Sequence, residues 1–408
     1  MKARIATLAL LCASVSALLP PAPAAAALTF EVEVGRFFDE TDHTAESMRF
    51  YPSAIRVAPG DTIHFSTESF HGVTLLPAGN EPGAWAEEHA APGGRWSAFV
   101  SDPDEGPRSA RVNLSVAAPS QLCGWPGQSP CEFDGTGDGA IGPLNSGLAL
   151  FPTEDGGAET RELGFSVTVT ADPGTTIHAV DPLHPAMSMT IEVVGSFAER
   201  SDVAELATAS ENQFVVDLER ARQLHRTYAR KRVKKTARGV TTWQAWAGVE
   251  EQGISLRRFY PRKLTIAPGD RVKWVFSKNL YEAHDVTFPR GRATALAGAF
   301  PEIACDEDGD EGTAADTAPS SSAFPFCDSF SELELDVPAA FVTRAGDGAV
   351  KGATDFEASG ARGASYAATK SAYQLSFPKK SPKKGFQYAC AIHEAAHAPM
   401  RAAVVVKR

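Results

Sequence analysis

A long internal repeat constrains this chain more than its composition does, because self-similarity at a fixed spacing fixes the architecture before any single element is assigned. Phe50-Tyr51-Pro52, followed by Ile55, Val57, Ala58-Pro59-Gly60-Asp61 and Ile63, returns as Phe259-Tyr260-Pro261, Leu264, Ile266, Ala267-Pro268-Gly269-Asp270 and Val272. In each copy, apolar alternation flanks a Pro-Gly-Asp turn, where proline presets φ and glycine accepts a positive φ, so each copy reads as strand, turn, strand. Each copy then reaches a histidine, in His71-Gly72-Val73-Thr74-Leu75 and in His284-Asp285-Val286-Thr287-Phe288. The copies also end alike. Phe165 to Val169 leads to His184, Met187 and a strand through Ile191 and Val193, while Tyr373 to Phe377 leads to Cys390, His393, His397, Met400 and a strand through Val404 to Val406.

A chain of 408 residues exceeds what one hydrophobic core usually organises, and the repeat divides it into two all-β domains, residues 28–196 and 240–408. Residues 197–239 differ in kind, with Phe214, Leu218, Ala221, His225 and Tyr228 at helical spacing and Gly239 as a stop, and predict a helical connector. Its basic second half reads as a solvated helix face beside an acidic neighbour. Residues 1–27 combine Lys2 and Arg4, an apolar run from Ile5 to Leu19 and a small-residue end, the pattern of a secretory signal peptide. Export to a periplasm or out of the cell is the expectation. No later apolar run is long enough to span a bilayer. The formal net charge of -11 argues against non-specific nucleic-acid binding and favours basic redox partner proteins.

Of the 6 cysteines, Cys12 falls in the leader, and an odd number is left in an oxidising compartment. Cys123 and Cys131 bracket one loop, and Cys305 and Cys327 bracket an acidic one, so we expect the disulfides Cys123–Cys131 and Cys305–Cys327. Cys390 is then without a partner. The acidic residues Asp306, Asp308 and Asp310 superficially resemble a calcium loop. No Glu follows at the twelfth position, and a solvated loop is the better reading.

Thiolate, imidazole and thioether together select copper, and a trigonal two-His, one-Cys set with a long axial Met defines a blue-copper centre. The second copy offers Cys390, His284 from afar, a loop histidine and Met400. Counting forward from Cys390, the C-x-x-H spacing selects His393. Counting back from Met400, H-x-x-M selects His397, and both remain open, with His393 favoured.

Asp270-x-Val272-x-Trp274, Asn279 ahead of His284-Asp285-Val286, Tyr388-x-Cys390-x-x-His393 and Met400-x-Ala402-x-Val404 together resemble the cupredoxin family of plastocyanin, pseudoazurin and amicyanin type. The resemblance covers most of the chain as two tandem copies. It implies two Greek-key β-sandwiches, each with its metal position near one end, and one type 1 copper ligated by His284, Cys390, His393 and Met400. The chain departs from the pattern in a longer stretch between loop His and Met, and in Ala402 where the family usually has Gly. In the first copy, Asp181-x-x-His184-Pro185-x-Met187 resembles the amicyanin-like loop Cys-x-x-His-Pro-x-Met, with Asp in place of Cys. His71, Asp181, His184 and Met187 cannot make a blue-copper centre without thiolate, but they could hold copper or zinc weakly. His178 lies near this loop as a fourth ligand or a strand-end residue.

The resemblance implies an exported one-electron carrier. A two-domain copper oxidoreductase of nitrite-reductase type is the alternative enzyme, although the His-x-His pairs of an oxygen-reducing cluster are absent. Copper delivery is a third reading, which 5 Met support poorly.

Overall fold

The computed structural model describes residues 26–39, 44–67, 71–85, 99–101, 110–112, 120–121, 123–124, 128–137, 144–148, 150–152, 158–160, 164–182, 184, 186–277, 282–298, 304–305, 333–334, 336–337, 344–362, 372–394 and 399–407. The protein is all-β apart from the connector helix and short helical segments. Among the described residues no helix is long and apolar enough to cross a membrane.

Each half is a sandwich of two sheets with the same strand order. In the first half, an outer five-stranded sheet runs Ala54–Val57, Ser188–Val193, Thr176–Val180, Gly72–Leu76, Leu144–Leu148. In the second, the equivalent sheet runs Lys263–Ile266, Arg401–Val406, Phe386–Ala389, Thr287–Phe288, Glu357–Ala358. In both, the strand after the Tyr-Pro step pairs in parallel with the last strand of its domain, Ile55 opposite Ile191 and Leu264 opposite Val404. Such long-range pairing brings the start and end of each copy together, the connectivity of a Greek-key sandwich. Between the sheets, one core gathers Phe30, Phe50, Phe65, Phe165 and Ile191, and the other gathers Phe259, Trp274, Phe377, Tyr388 and Val404.

The repeat does not show how the halves meet. Their facing sheets are one ten-stranded sheet, joined where Ala45–Tyr51 pairs antiparallel with Ile254–Tyr260, Glu46 opposite Ser255. The edge of one domain thus satisfies the edge of the other, which removes two exposed strand edges at once. The two sandwiches are therefore connected through backbone hydrogen bonds as well as through the helix.

That helix, Val203–Arg230, starts on Asp202, whose carboxylate accepts from the backbone N–H groups of Ala204 and Glu205. It lies over the sheet junction, with Ala221 and Leu224 buried against Trp246, Leu256 and Tyr260. The predicted connector is corrected in one respect. Its basic end is not helical throughout: Val233–Ala237 is a strand, in a hairpin with Val240–Glu251. The β-branched Val233 and Thr236 and the turn at Arg238-Gly239, both with positive φ, favour a hairpin over a continued helix. The helix also buries Asp217, which accepts from Tyr51 Oη at 2.6 Å and pairs with Arg49 at 3.0 Å. Helical periodicity of apolar residues does not reveal such an anchor.

Candidate metal centres

Two buried clusters occupy equivalent positions, one per sandwich. In the second domain His284, Cys390 and His393 bring ligand atoms together. His393 Nδ1 lies 3.3 Å from Cys390 Sγ and 3.3 Å from His284 Nδ1. Donor atoms bound to one small cation at roughly 2.0–2.3 Å sit roughly 3.3 Å apart or slightly more, so the set fits an ion with little rearrangement. Met400 is buried in the same core cluster, and its carbonyl accepts from the Cys390 N–H at 3.0 Å, which seats it beside the cysteine. His397 lies outside the described residues, so of the two loop histidines His393 is the one seen at the site.

The elements that hold these side chains follow from local sequence. Cys390 directly follows strand Phe386–Ala389, and His393 stands one turn further on, in the turn that Asp285 organises. Asp285 Oδ1 accepts from the N–H groups of Ala391 and Ile392, and Thr287 donates to Oδ2 at 2.5 Å. The Asp285 N–H points at Cys390 Sγ at 3.4 Å. His284 is presented by a bridge to Arg362, and the next residue but one, Val286, donates its N–H to Ser359 Oγ at 2.8 Å.

Carboxylates fix the rings. His284 Nε2 lies 2.8 Å from Glu250 Oε1, which leaves Nδ1 facing inward, toward His393 Nδ1. His393 Nε2 lies 3.5 Å from Glu282 Oε1. Gly248, at φ 74°, passes so close beneath the His284 ring that a Cβ there would stand 2.0 Å from Nε2. Only glycine combines that backbone angle with that approach. Burial, with the Asp285 charge beside it, holds the Cys390 thiol well above its ordinary value, so a cation must displace a proton on binding. Burial pushes His393 down to about 4 against the pull of Glu282, which keeps it a neutral ligand. Burial also opposes charge on His284, but the Glu250 hydrogen bond and charge outweigh it and the value rises. Glu282 is buried yet held well below the carboxylate range by Arg257 and His393.

The first domain repeats the arrangement with one exchange. Asp181 Oδ2 lies 2.6 Å from His71 Nδ1 and 2.8 Å from His184 Nδ1, and the two Nδ1 atoms are 3.1 Å apart. The Asp181 N–H donates to the Met187 carbonyl at 3.2 Å, as Cys390 does to Met400, which places Asp181 where the thiol stands in the other copy. Asp181 is wholly buried, yet the two histidines pull its carboxyl below the usual range. His178 is not part of this cluster; it faces Thr190 Oγ1 at 3.4 Å and Glu81 at 3.9 Å.

A disulfide joins Cys123 and Cys131. The Cys305–Cys327 pairing and the loop of Asp306, Asp308 and Asp310 fall outside the described residues. Cys390 is a free, buried thiol.

Sequence reasoning missed Glu46, Glu250, Glu282 and Arg257. It also missed Ser146 and Ser359, which accept from the N–H groups of Val73 and Val286 at 2.8 Å each. A signal for the serines was present, since Ser146-Gly147 and Ser359-Gly360 stand in matching places of the two copies. The acidic residues had none, because they do not align between copies.

No protein-family profile and no curated protein matches the sequence. Among solved structures, the chain is similar to dithionite-reduced auracyanin from Roseiflexus castenholzii, at 13% identity and TM-score 0.19 over 42% of this chain and 100% of that one. It is also similar to the copper nitrite reductase from Nitrosomonas europaea, at 10% identity and TM-score 0.16 over 94% of each chain. A third is the multicopper oxidase mgLAC, at 11% identity and TM-score 0.17 over 93% of this chain and 86% of that one. At such scores the fold rests on the strand order described above, and the site on its donor atoms.

Proposed function

We propose that this protein is an exported electron carrier that holds one copper ion in its second domain through His284, Cys390, His393 and Met400. The observation that carries the reading is the convergence of a buried thiol and two imidazole Nδ1 atoms, all within 4.8 Å of one another and with His393 Nδ1 3.3 Å from each of the other two. Thiolate with two imidazoles is the donor set of a type 1 centre. Bound there, copper would supply one-electron redox chemistry between its two common oxidation states.

The surrounding residues suit that task. Gly248, Glu250 and Asp285 fix ring and loop before any metal arrives, so the ligands need move little between oxidation states. Cys390 is fully buried while the His393 side chain keeps 11% of its surface, which makes His393 the ligand nearest solvent and the natural point of electron exit. Below Cys390, Tyr388 stacks on Phe288 at 4.7 Å and accepts from Trp274 Nε1 at 3.2 Å, a rigid aromatic floor that excludes water. The net charge of -11 favours a basic redox partner.

Reconstitution of the leaderless protein with Cu(II) tests this. An intense thiolate-to-copper absorption at about 600 nm is expected, together with reversible one-electron reduction. A colourless copper adduct, or a spectrum indifferent to Cys390→Ser, would sink the proposal.

A further inference from the structure

The first-domain cluster carries more than a relic of the repeat. A neutral imidazole has one N–H, but both nitrogens of His71 face a carboxylate oxygen: Nε2 meets Glu46 Oε1 at 2.7 Å, and Nδ1 meets Asp181 Oδ2 at 2.6 Å. With Nε2–H given to Glu46, the Nδ1 lone pair points at Asp181 and at His184 Nδ1, and three donor atoms converge on one buried point. A cation at that point satisfies all three. Without an ion the three donor atoms stand at hydrogen-bond spacings of 2.6, 2.8 and 3.1 Å, and a cation bonded at about 2.1 Å would part them to roughly 3.0–3.4 Å, a shift of less than an ångström for each pair.

The placement of the orienting carboxylate is the second observation. In the second domain Glu250 holds His284 from the strand Val240–Glu251, cross-strand from Ser255. In the first domain the strand equivalent to Val240–Glu251 has Phe37 at that place, and the carboxylate comes instead from its cross-strand neighbour, Glu46. The same contact is thus made from opposite strands, and inheritance of the repeat does not account for it. Gly35, at φ 68°, makes the same bed for the ring, with a Cβ there 2.1 Å from His71 Nε2.

We propose that His71, Asp181 and His184 form a second metal centre, free of thiolate, that takes a borderline divalent cation, Zn²⁺ or Cu²⁺. Two imidazoles and a carboxylate suit both ions, whereas the soft thiolate of the other site selects copper. Glu46 is a positioning residue here, acting through the tautomer and orientation of His71. Glu46 also pairs with Arg257, which donates to Glu282 at 2.8 Å, and Glu282 faces His393, so buried ion pairs link the two centres.

The test loads the full leaderless chain with excess Cu²⁺ or Zn²⁺, removes loose metal and counts what remains, with electron paramagnetic resonance on the copper form. Two ions per chain are expected, and two Cu(II) signals, one with the narrow hyperfine splitting of a thiolate site and one with the wide splitting of nitrogen and oxygen ligation. Asp181→Ala with His184→Ala should remove one ion and the wide signal while the thiolate absorption of the second domain persists. Glu46→Gln should weaken retention of that ion by 10- to 100-fold, in the range of lost supporting contacts. A wild type that retains one ion and one signal would mean that the cluster is a set of hydrogen bonds only. That outcome needs no variant to fold. Failure of the thiolate absorption, with the Asp181-dependent ion still present, would overturn the electron-carrier reading and leave this centre standing.

Discussion

The two sandwiches share a strand order, a glycine bed under the first histidine, a carboxylate on its Nε2 and a loop with its second histidine three residues on. They differ at one donor, Asp181 against Cys390. The difference separates scaffold from chemistry: backbone and supporting contacts place the donor atoms, and in the reading proposed above the single exchanged side chain would decide which cation binds and whether its colour and redox behaviour are those of a thiolate complex. The second contrast lies in access. His184 and His393 are the least buried donors of their sites, while His71 and His284 are almost wholly buried.

The comparison breaks most severely at the exchanged donor. Cys390→Ser should abolish the intense visible absorption, and Asp181→Cys should create a second such band in the first domain, read by absorption spectroscopy of the copper-loaded variants. If Asp181→Cys stays colourless, the two scaffolds are not equivalent. Next in size is the buried link between them. Arg257→Met leaves Glu46 and Glu282 buried without their cation, and unfolding in denaturant should show a loss of about 3–5 kcal/mol.

Glu250→Gln should lower copper affinity by about 10- to 100-fold in a competition titration, because the His284 ring loses its anionic partner. An unchanged affinity would deny Glu250 its orienting role. Gly35→Ala and Gly248→Ala force a Cβ into the histidine ring and a positive φ on alanine, at a cost of about 1–3 kcal/mol each. Similar losses in both domains would confirm that the bed is common to both.

A further effect concerns pH in the metal-free protein. His393 has its value moved down to about 4 from the ordinary 6.5, so the unfolded chain binds more protons between those limits. Its contribution is complete above pH 6.5 and is lost as the pH falls toward 4. His284 is moved up, so its contribution is complete below 6.5 and is lost as the pH rises through its folded value. Between them these two histidines favour the region near pH 6.5, and melting temperatures measured across pH should show the fall between pH 6.5 and about 4 become shallower in His393→Asn, with the steeper loss from Glu282 and Asp181 left at lower pH.

The repeat, the turn signals and the order Cys, His, His, Met are written along the chain, because strand alternation and ligand spacing within one loop are local properties. From them the all-β class, the two copies, the connector helix and the place of Asp181 opposite Cys390 could be read directly. The shared sheet, with Glu46 set opposite Ser255, could not, since edge-to-edge pairing of distant strands leaves no periodic mark. Nor could the contacts of Glu46 with His71 and of Glu250 with His284, which join residues 25 and 34 positions apart. The sequence alone determined which donors each copy owns. Tertiary structure decided which nitrogen each histidine turns inward, because that choice depends on a carboxylate carried in from another strand and sealed away from water, where an unpaired charge is too costly to persist.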